Sequence, residues 1–104
     1  MDAQLKRGLL EICVLAAMRR EESYGYKLIR DISPHIEISE STLYPILKRL
    51  EGAGHVTSRS AEHNGRLRKY YRITPSGLLR IEEFLDSWQE MLRAYAFIEG
   101  GDSR

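Results

Sequence analysis

The chain has 104 residues, 42% of them hydrophobic and 30% charged, with a formal net charge of +1; that is the length of one domain, with a modest core that removes roughly 60–70% of the unfolded surface from water. No run of about 18 apolar residues is present to span a membrane, and the Leu9–Met18 run holds Glu11 and leads into Arg19-Arg20-Glu21-Glu22, which is not a signal-peptide layout. The single cysteine, Cys13, excludes an intrachain disulfide and a multi-cysteine zinc site, and it points to a reducing, cytoplasmic setting.

Residues 3–20 read as a first helix. Leu5, Leu9, Ile12, Cys13 and Ala16 form one stripe, and Leu10, Val14 and Ala17 carry it around most of the cylinder. A helix apolar nearly all round is buried on more than one side. In so small a domain the second side is expected to meet another subunit, with Cys13 a small core residue. A shorter helix follows within Glu21–Ser33. Ser23 stands as its N-cap, Leu28, Ile29 and Ile32 lie at core spacing, and Pro34 ends it. Gly25, near its start, has two readings: it leaves room for another backbone, or it belongs simply to a frayed first turn.

A third helix opens at Ser39 as cap. Leu43, Ile46, Leu47 and Leu50 give the i, i+3, i+4, i+7 stripe, and Gly52-Ala53-Gly54 stops it. Two segments rich in β-branched and aromatic residues come next, His55–Glu62 and Arg66–Thr74. Asn64-Gly65 between them is a strong hairpin signal, because both residues tolerate positive φ. Thr74 and Pro75 then read as N-cap and first residue of a last helix that runs to about Ile98. Residues 99–104 read as a disordered tail. The order is helix, helix, helix, hairpin, helix. It makes a mainly α fold with a small β-hairpin: a winged helix-turn-helix over 1–74 and a C-terminal dimerisation helix over 75–98.

The small net charge hides an asymmetry. Residues 1–40 carry −1, residues 41–80 carry +6, and residues 81–104 carry −4. A basic middle on an otherwise balanced chain suits a nucleic-acid face, although a solvated basic face gives the same count. The third helix sharpens this. Opposite its apolar stripe stand Ser41, Tyr44, Pro45 and Lys48, flanked by Thr42 and Arg49. A merely solvated face is usually rich in glutamate and lysine. Hydroxyls, a phenol, a proline ring and cations suit a major groove, where Ser and Thr reach bases or phosphates and Lys and Arg reach guanine or phosphate. Pro45 inside a helix costs about 3 kcal/mol and frees the carbonyl of Ser41. On the outer face it bends the surface without disturbing the core. Arg66, Arg68 and Lys69 near the hairpin tip suit phosphate contact or minor-groove entry. Of the alternating tyrosines, Tyr71 with Ile73 is expected inward.

At these residues the chain resembles a known family, the PadR-type transcriptional regulators. The resemblance rests on "YGYKLIRDI" in the second helix, "ISESTLYPILKRLEGAGHV" in the third, and "GRLRKYYRITPSG" in and after the wing. It covers nearly the whole chain, and the single C-terminal helix matches the compact members. It implies a homodimeric winged-helix repressor of inverted-repeat operators in double-stranded DNA, controlling genes of detoxification, efflux or phenolic-acid metabolism. The proline after "TLY" is itself a family habit. The inducer differs among members and does not carry over.

The last helix carries Leu78, Ile81, Leu85, Trp88, Leu92 and Tyr95 in a 3-4-3-4-3 spacing, a heptad seam. Phe84, Met91 and Ile98 add a second row. The two rows are wider than one intramolecular contact covers, so dimerisation is expected. Leu9 and Cys13 of the first helix then belong to the receiving surface, and acidic Glu82, Glu83, Asp86 and Glu90 line the outside. Trp88 has two readings. One is a packed interface residue. The other is a platform for a planar aromatic effector, with Met91 and Leu92 as walls. Compact family members can place a tryptophan of this "SW" setting opposite its symmetry mate across a pore, and "FLDSW" resembles it.

An enzyme is not expected. No phosphate loop, nucleophile elbow or carboxylate pair stands out, and His35, His55 and His63 lack metal-ligand spacing. No cofactor is called for. The competing reading is a winged helix used only for protein–protein contact. That use would require an apolar outer face on the third helix and a neutral wing, and the sequence shows the opposite.

Overall fold

The structure, a computed structural model, describes residues 1–101. Its elements are α1 (Ala3–Ala17), α2 (Gly25–Ile32), α3 (Glu40–Gly52), β1 (Val56–His63), β2 (Arg66–Ile73) and α4 (Pro75–Ile98). This is a mainly helical winged helix-turn-helix with one antiparallel hairpin, as the pattern of the sequence implies.

α1 starts under a side-chain cap: Asp2 accepts the N–H groups of Gln4 and Leu5, each at 3.1 Å. It ends at Ala17 and not at residue 20. Met18 leaves helical geometry at φ −117° and ψ 23°, and the N–H groups of Met18 and Arg19 close short turns onto Leu15 and Ala16. Met18 itself is sealed in the core.

The early exit of α1 has a purpose downstream. Ser23 is not the N-cap of α2; Tyr24 is, without a side-chain bond. Ser23 instead exchanges both backbone hydrogen bonds with Tyr71, at 2.9 and 2.8 Å. This bridge makes residue 23 a one-residue third strand beside β2. Two backbone bonds inside a buried site outweigh one exposed cap, since unpaired buried amides are expensive. The helix-turn-helix is thereby tied to the wing.

The core is formed by one face of each helix. Leu10, Val14 and Leu15 of α1 meet Leu28 of α2, Leu43, Ile46, Leu47 and Leu50 of α3, and Val56 and Tyr71 of the hairpin. All four stripe residues of α3 are buried, each contributing about 1.5–3 kcal/mol of apolar burial. Ser39 occupies the N-cap position, but its hydroxyl does not cap; it lies 3.0 Å from the Ser41 hydroxyl and 3.2 Å from that of Thr42.

The hairpin pairs without a bulge, from Val56 opposite Ile73 to His63 opposite Arg66. Asn64 and Gly65 turn at φ 53° and 77°, the left-handed conformation of a tight hairpin. After β2, the Thr74 hydroxyl accepts the Gly77 N–H at 3.2 Å and donates to the Gly54 carbonyl at 2.7 Å. Gly77 is required by space: a Cβ there would lie 2.6 Å from the Ile73 Cγ1 and press on the His55 carbonyl.

α4 is 24 residues long, about 36 Å at 1.5 Å per residue. Only its start is held by the body of the protein, through buried Gly77 and Ile81 and half-buried Phe84. From Leu85 onward every described residue is exposed. The molecule is therefore elongated, 61 × 26 × 21 Å with a radius of gyration of 16.1 Å, against about 13 Å for a compact chain of this length. Beyond α4, Glu99 caps the helix and the Gly101 N–H returns to the Ala96 carbonyl at 3.0 Å. The rest of the expected tail, residues 102–104, lies outside the described residues.

Candidate nucleic-acid interface

The face of α3 turned from the core presents Ser41, Thr42, Tyr44, Pro45, Lys48 and Arg49, all exposed. The helix runs unbroken through Pro45. With its ring outward, the proline removes one helical hydrogen bond and displaces nothing in the core.

The six residues do not stand alike. Arg49 is turned back to α1, where Nε and Nη2 donate to one Glu11 oxygen at 3.1 and 2.9 Å. Thr42, Pro45 and Arg49 line a groove of about 710 Å³ against Lys6, Arg7 and Leu10 of α1. Tyr44 leans the other way. Its ring lies over Gly25, so the space expected there for another backbone is filled by a side chain of α3. Lys48, between these flanks, makes no ion pair among the described residues.

The wing divides by face. Tyr71 and Ile73 turn inward, as the alternation requires. Burial pushes the Tyr71 phenol above its ordinary pKa, and the ammonium of Lys69, 5.6 Å from the ring centre, pulls against that. At the tip, Arg66, Leu67 and Lys69 are exposed, and Lys69 holds only a loose 3.8 Å pair with Glu51. Arg68 differs: half-buried, its guanidinium stacks 3.9 Å from the centre of the Tyr24 ring. Tyr24 meets Tyr70 edge-on at 5.7 Å, and Arg59 covers Tyr70 at 4.7 Å.

Arg59 also grips Glu22 through two hydrogen bonds, and Arg72 approaches the same carboxylate at 3.6 Å. The bond from Arg59 holds the Glu22 carboxyl below its usual range. Sequence reasoning misses this layer of Glu22, Tyr24, Arg59 and Tyr70. Its one legible signal is that Arg59 and Tyr70 fall opposite each other once the hairpin register is set by Asn64-Gly65. Between α2, α3 and the wing lies a cleft of about 530 Å³, walled by Tyr24, Gly25, Tyr44, Arg66 and Lys69. A concave surface of phenols and cations can take a phosphate strand along its floor and base edges beside it.

The seam residues on α4 separate into two groups. Ile81, placed in the seam by spacing, is only 3% exposed and belongs to the chain's own core, because its turn of α4 still lies against the body. Leu78, Leu85, Trp88, Leu92 and Tyr95, with Met91 of the second row, are all exposed. Trp88 stacks on Phe84 with ring centres 5.9 Å apart. Leu9 and Cys13 on α1 are half-buried, and burial raises the Cys13 thiol above its ordinary pKa. No helix is long and apolar enough to cross a membrane among the described residues.

Comparison with known proteins agrees with this architecture. Residues 14–83 match the transcriptional regulator PadR-like family. The transcriptional regulator Rv3488 of Mycobacterium tuberculosis is 32% identical over 101 residues, covering 96% of this chain and 92% of its own. A PadR family transcriptional regulator from Eggerthella lenta superimposes with a TM-score of 0.84 at 33% identity, covering 95% of this chain and 88% of that one. A PadR-like transcriptional regulator from Bacillus cereus gives 0.78 at 33% identity, over 96% and 100%. The chain belongs to the PadR-like family of transcriptional regulators.

Proposed function

We propose that the protein is a homodimeric repressor in the cytoplasm that seats α3 in the major groove of each half of an inverted-repeat operator. The observation that carries this is the exposed Ser41, Tyr44 and Lys48 surface of α3 beside the exposed Arg66 and Lys69 of the wing tip. Ser41, Tyr44 and Lys48 face base edges, with Pro45 shaping the contact; Thr42 and Arg49 stand at the flanking phosphates. To reach a phosphate, Arg49 exchanges its bond with Glu11 for one with DNA. Arg66 and Lys69 supply sequence-independent attraction, and Arg68 contributes from its stacked position on Tyr24.

Dimerisation uses the unpartnered part of α4, with Leu78, Leu85, Trp88, Leu92 and Tyr95 meeting the partner's α4 and the Leu9–Cys13 side of its α1. An exposed apolar row of this length on a helix extending from the body is costly in water and is covered in a pair of subunits. A planar aromatic effector held against Trp88, Met91 and Leu92 relieves repression if it favours a spacing of the two wings that DNA does not. Target genes in detoxification or efflux follow from the resemblance of the sequence to the family.

The test is electrophoretic mobility shift with DNA from upstream of the protein's own gene, repeated across salt concentrations. Specific, salt-sensitive binding is expected. A folded dimer with no affinity for any duplex would favour the protein–protein module instead.

A further inference from the structure

We propose that Gly25 is a positioning residue for DNA readout: by lacking a side chain, it fixes where the Tyr44 phenol stands on the groove-facing surface. The proposal rests on the placement of Tyr44 at the DNA made above. Gly25 is buried at the first turn of α2. A Cβ built there would lie 2.9 Å from Cζ and 3.3 Å from Cε1 of Tyr44, with the hydroxyl closer still. Carbon atoms in contact settle at about 3.5–4.0 Å. A methyl group at residue 25 would therefore push the phenol end aside by roughly an ångström.

Backbone conformation does not explain the glycine. Positive φ among the glycines occurs at Gly54, Gly65 and Gly100, not at Gly25. Alanine is also the better helix former, so a position in a helix without a space restriction would favour it. Gly77 gives the contrast. There a Cβ would strike the His55 carbonyl, a backbone atom that cannot move without moving the chain. At Gly25 the obstructing atoms are the tip of one half-exposed side chain, 48% open to solvent and able to rotate. Substitution at Gly77 thus attacks the fold, and substitution at Gly25 displaces a recognition group within an intact fold.

The experiment is a double-mutant cycle of Gly25→Ala and Tyr44→Ala. The probe is a duplex that the wild-type protein selects from a randomised pool. Gly25→Ala should melt within a few degrees of wild type and lose about tenfold in affinity, relaxing base preference at the position that Tyr44→Ala relaxes. The double variant should bind no worse than Tyr44→Ala alone. Wild-type affinity in Gly25→Ala, with Tyr44→Ala weakened, would overturn the proposal, as would additive losses in the double variant. Unfolding of Gly25→Ala would also overturn it, by giving Gly25 the role of Gly77. Independently of DNA, nuclear Overhauser contacts between the Gly25 Hα and the Tyr44 ring should appear in the free wild-type protein, and their absence would contradict the geometry. Unchanged affinity in Tyr44→Ala is a separate result: it removes Tyr44 from the DNA and with it the role given to Gly25.

Discussion

Replacing Arg66 and Lys69 together by alanine isolates the electrostatic part of binding. Both side chains are exposed at the hairpin tip, and among the described residues the only ion pair either makes is the 3.8 Å approach of Lys69 to Glu51. Arg68 stays in place, stacked on Tyr24. Each phosphate neutralised contributes about −0.9 to the slope of log affinity against log salt. Two cations on each of two wings reach about four phosphates, so the slope should flatten by roughly 3.6. Between 50 and 200 mM salt, the wild type should then lose about a hundredfold more affinity than the variant. Fluorescence anisotropy at four salt concentrations, on operator and scrambled duplexes, measures both slopes. The two duplexes should weaken together, because phosphate contacts carry no sequence information. Melting should shift by no more than a few degrees, since the strand pairing is kept and Lys69 gives up only its loose pair with Glu51 and its 5.6 Å approach to the Tyr71 ring. An unchanged slope in a folded dimer would refute phosphate contact by Arg66 and Lys69.

Other perturbations test separate parts of the molecule. Lys48→Ala should cost about 1–3 kcal/mol in operator binding and relax preference at one base position, read by competition among single-base operator variants. Leu85→Asp places a charge in the exposed apolar row of α4, and sedimentation should show monomers; a persistent dimer would remove the row from the interface. Trp88 fluorescence should be quenched by planar aromatic dyes with a parallel loss of operator affinity, and quenching without that loss would leave Trp88 a packing residue. Glu22→Gln tests the ion pairs with Arg59 and Arg72. The carboxyl pKa is depressed in the folded state, chiefly by the bond from Arg59, so its stabilisation is present at neutral pH and lost as pH falls through that lowered value. The stability gap between wild type and variant, from urea melts, should close on acidification, and a gap independent of pH would exclude the pairing.

Elements with local causes were legible in the sequence. The Leu43, Ile46, Leu47, Leu50 stripe, the Asn64-Gly65 turn and the Thr74-Pro75 helix start each depend on residues within a few positions, and each appears in the fold. The outer face of α3 followed from the same stripe by subtraction. Contacts between distant segments were not legible. The bridge from Ser23 to Tyr71 spans most of the helix-turn-helix, and it competes with a local capping pattern that reads equally well from sequence. The turn of Arg49 toward Glu11 and the stack of Arg68 on Tyr24 are likewise set by how elements dock. For Ile81, heptad spacing could not tell where α4 stops touching its own body and becomes free for a partner. Gly25 illustrates the same limit: its lack of a side chain could be noticed, but the group that fills the space comes from another helix.

The most direct measurement is hydroxyl-radical footprinting of the purified protein on a duplex it has selected. A two-fold dimer reading DNA through α3 should protect two half-sites of an inverted repeat, with centres about 34–36 Å apart or a multiple of that along the duplex. Protection of a single asymmetric site, or no enrichment of any duplex by the folded dimer, would contradict it.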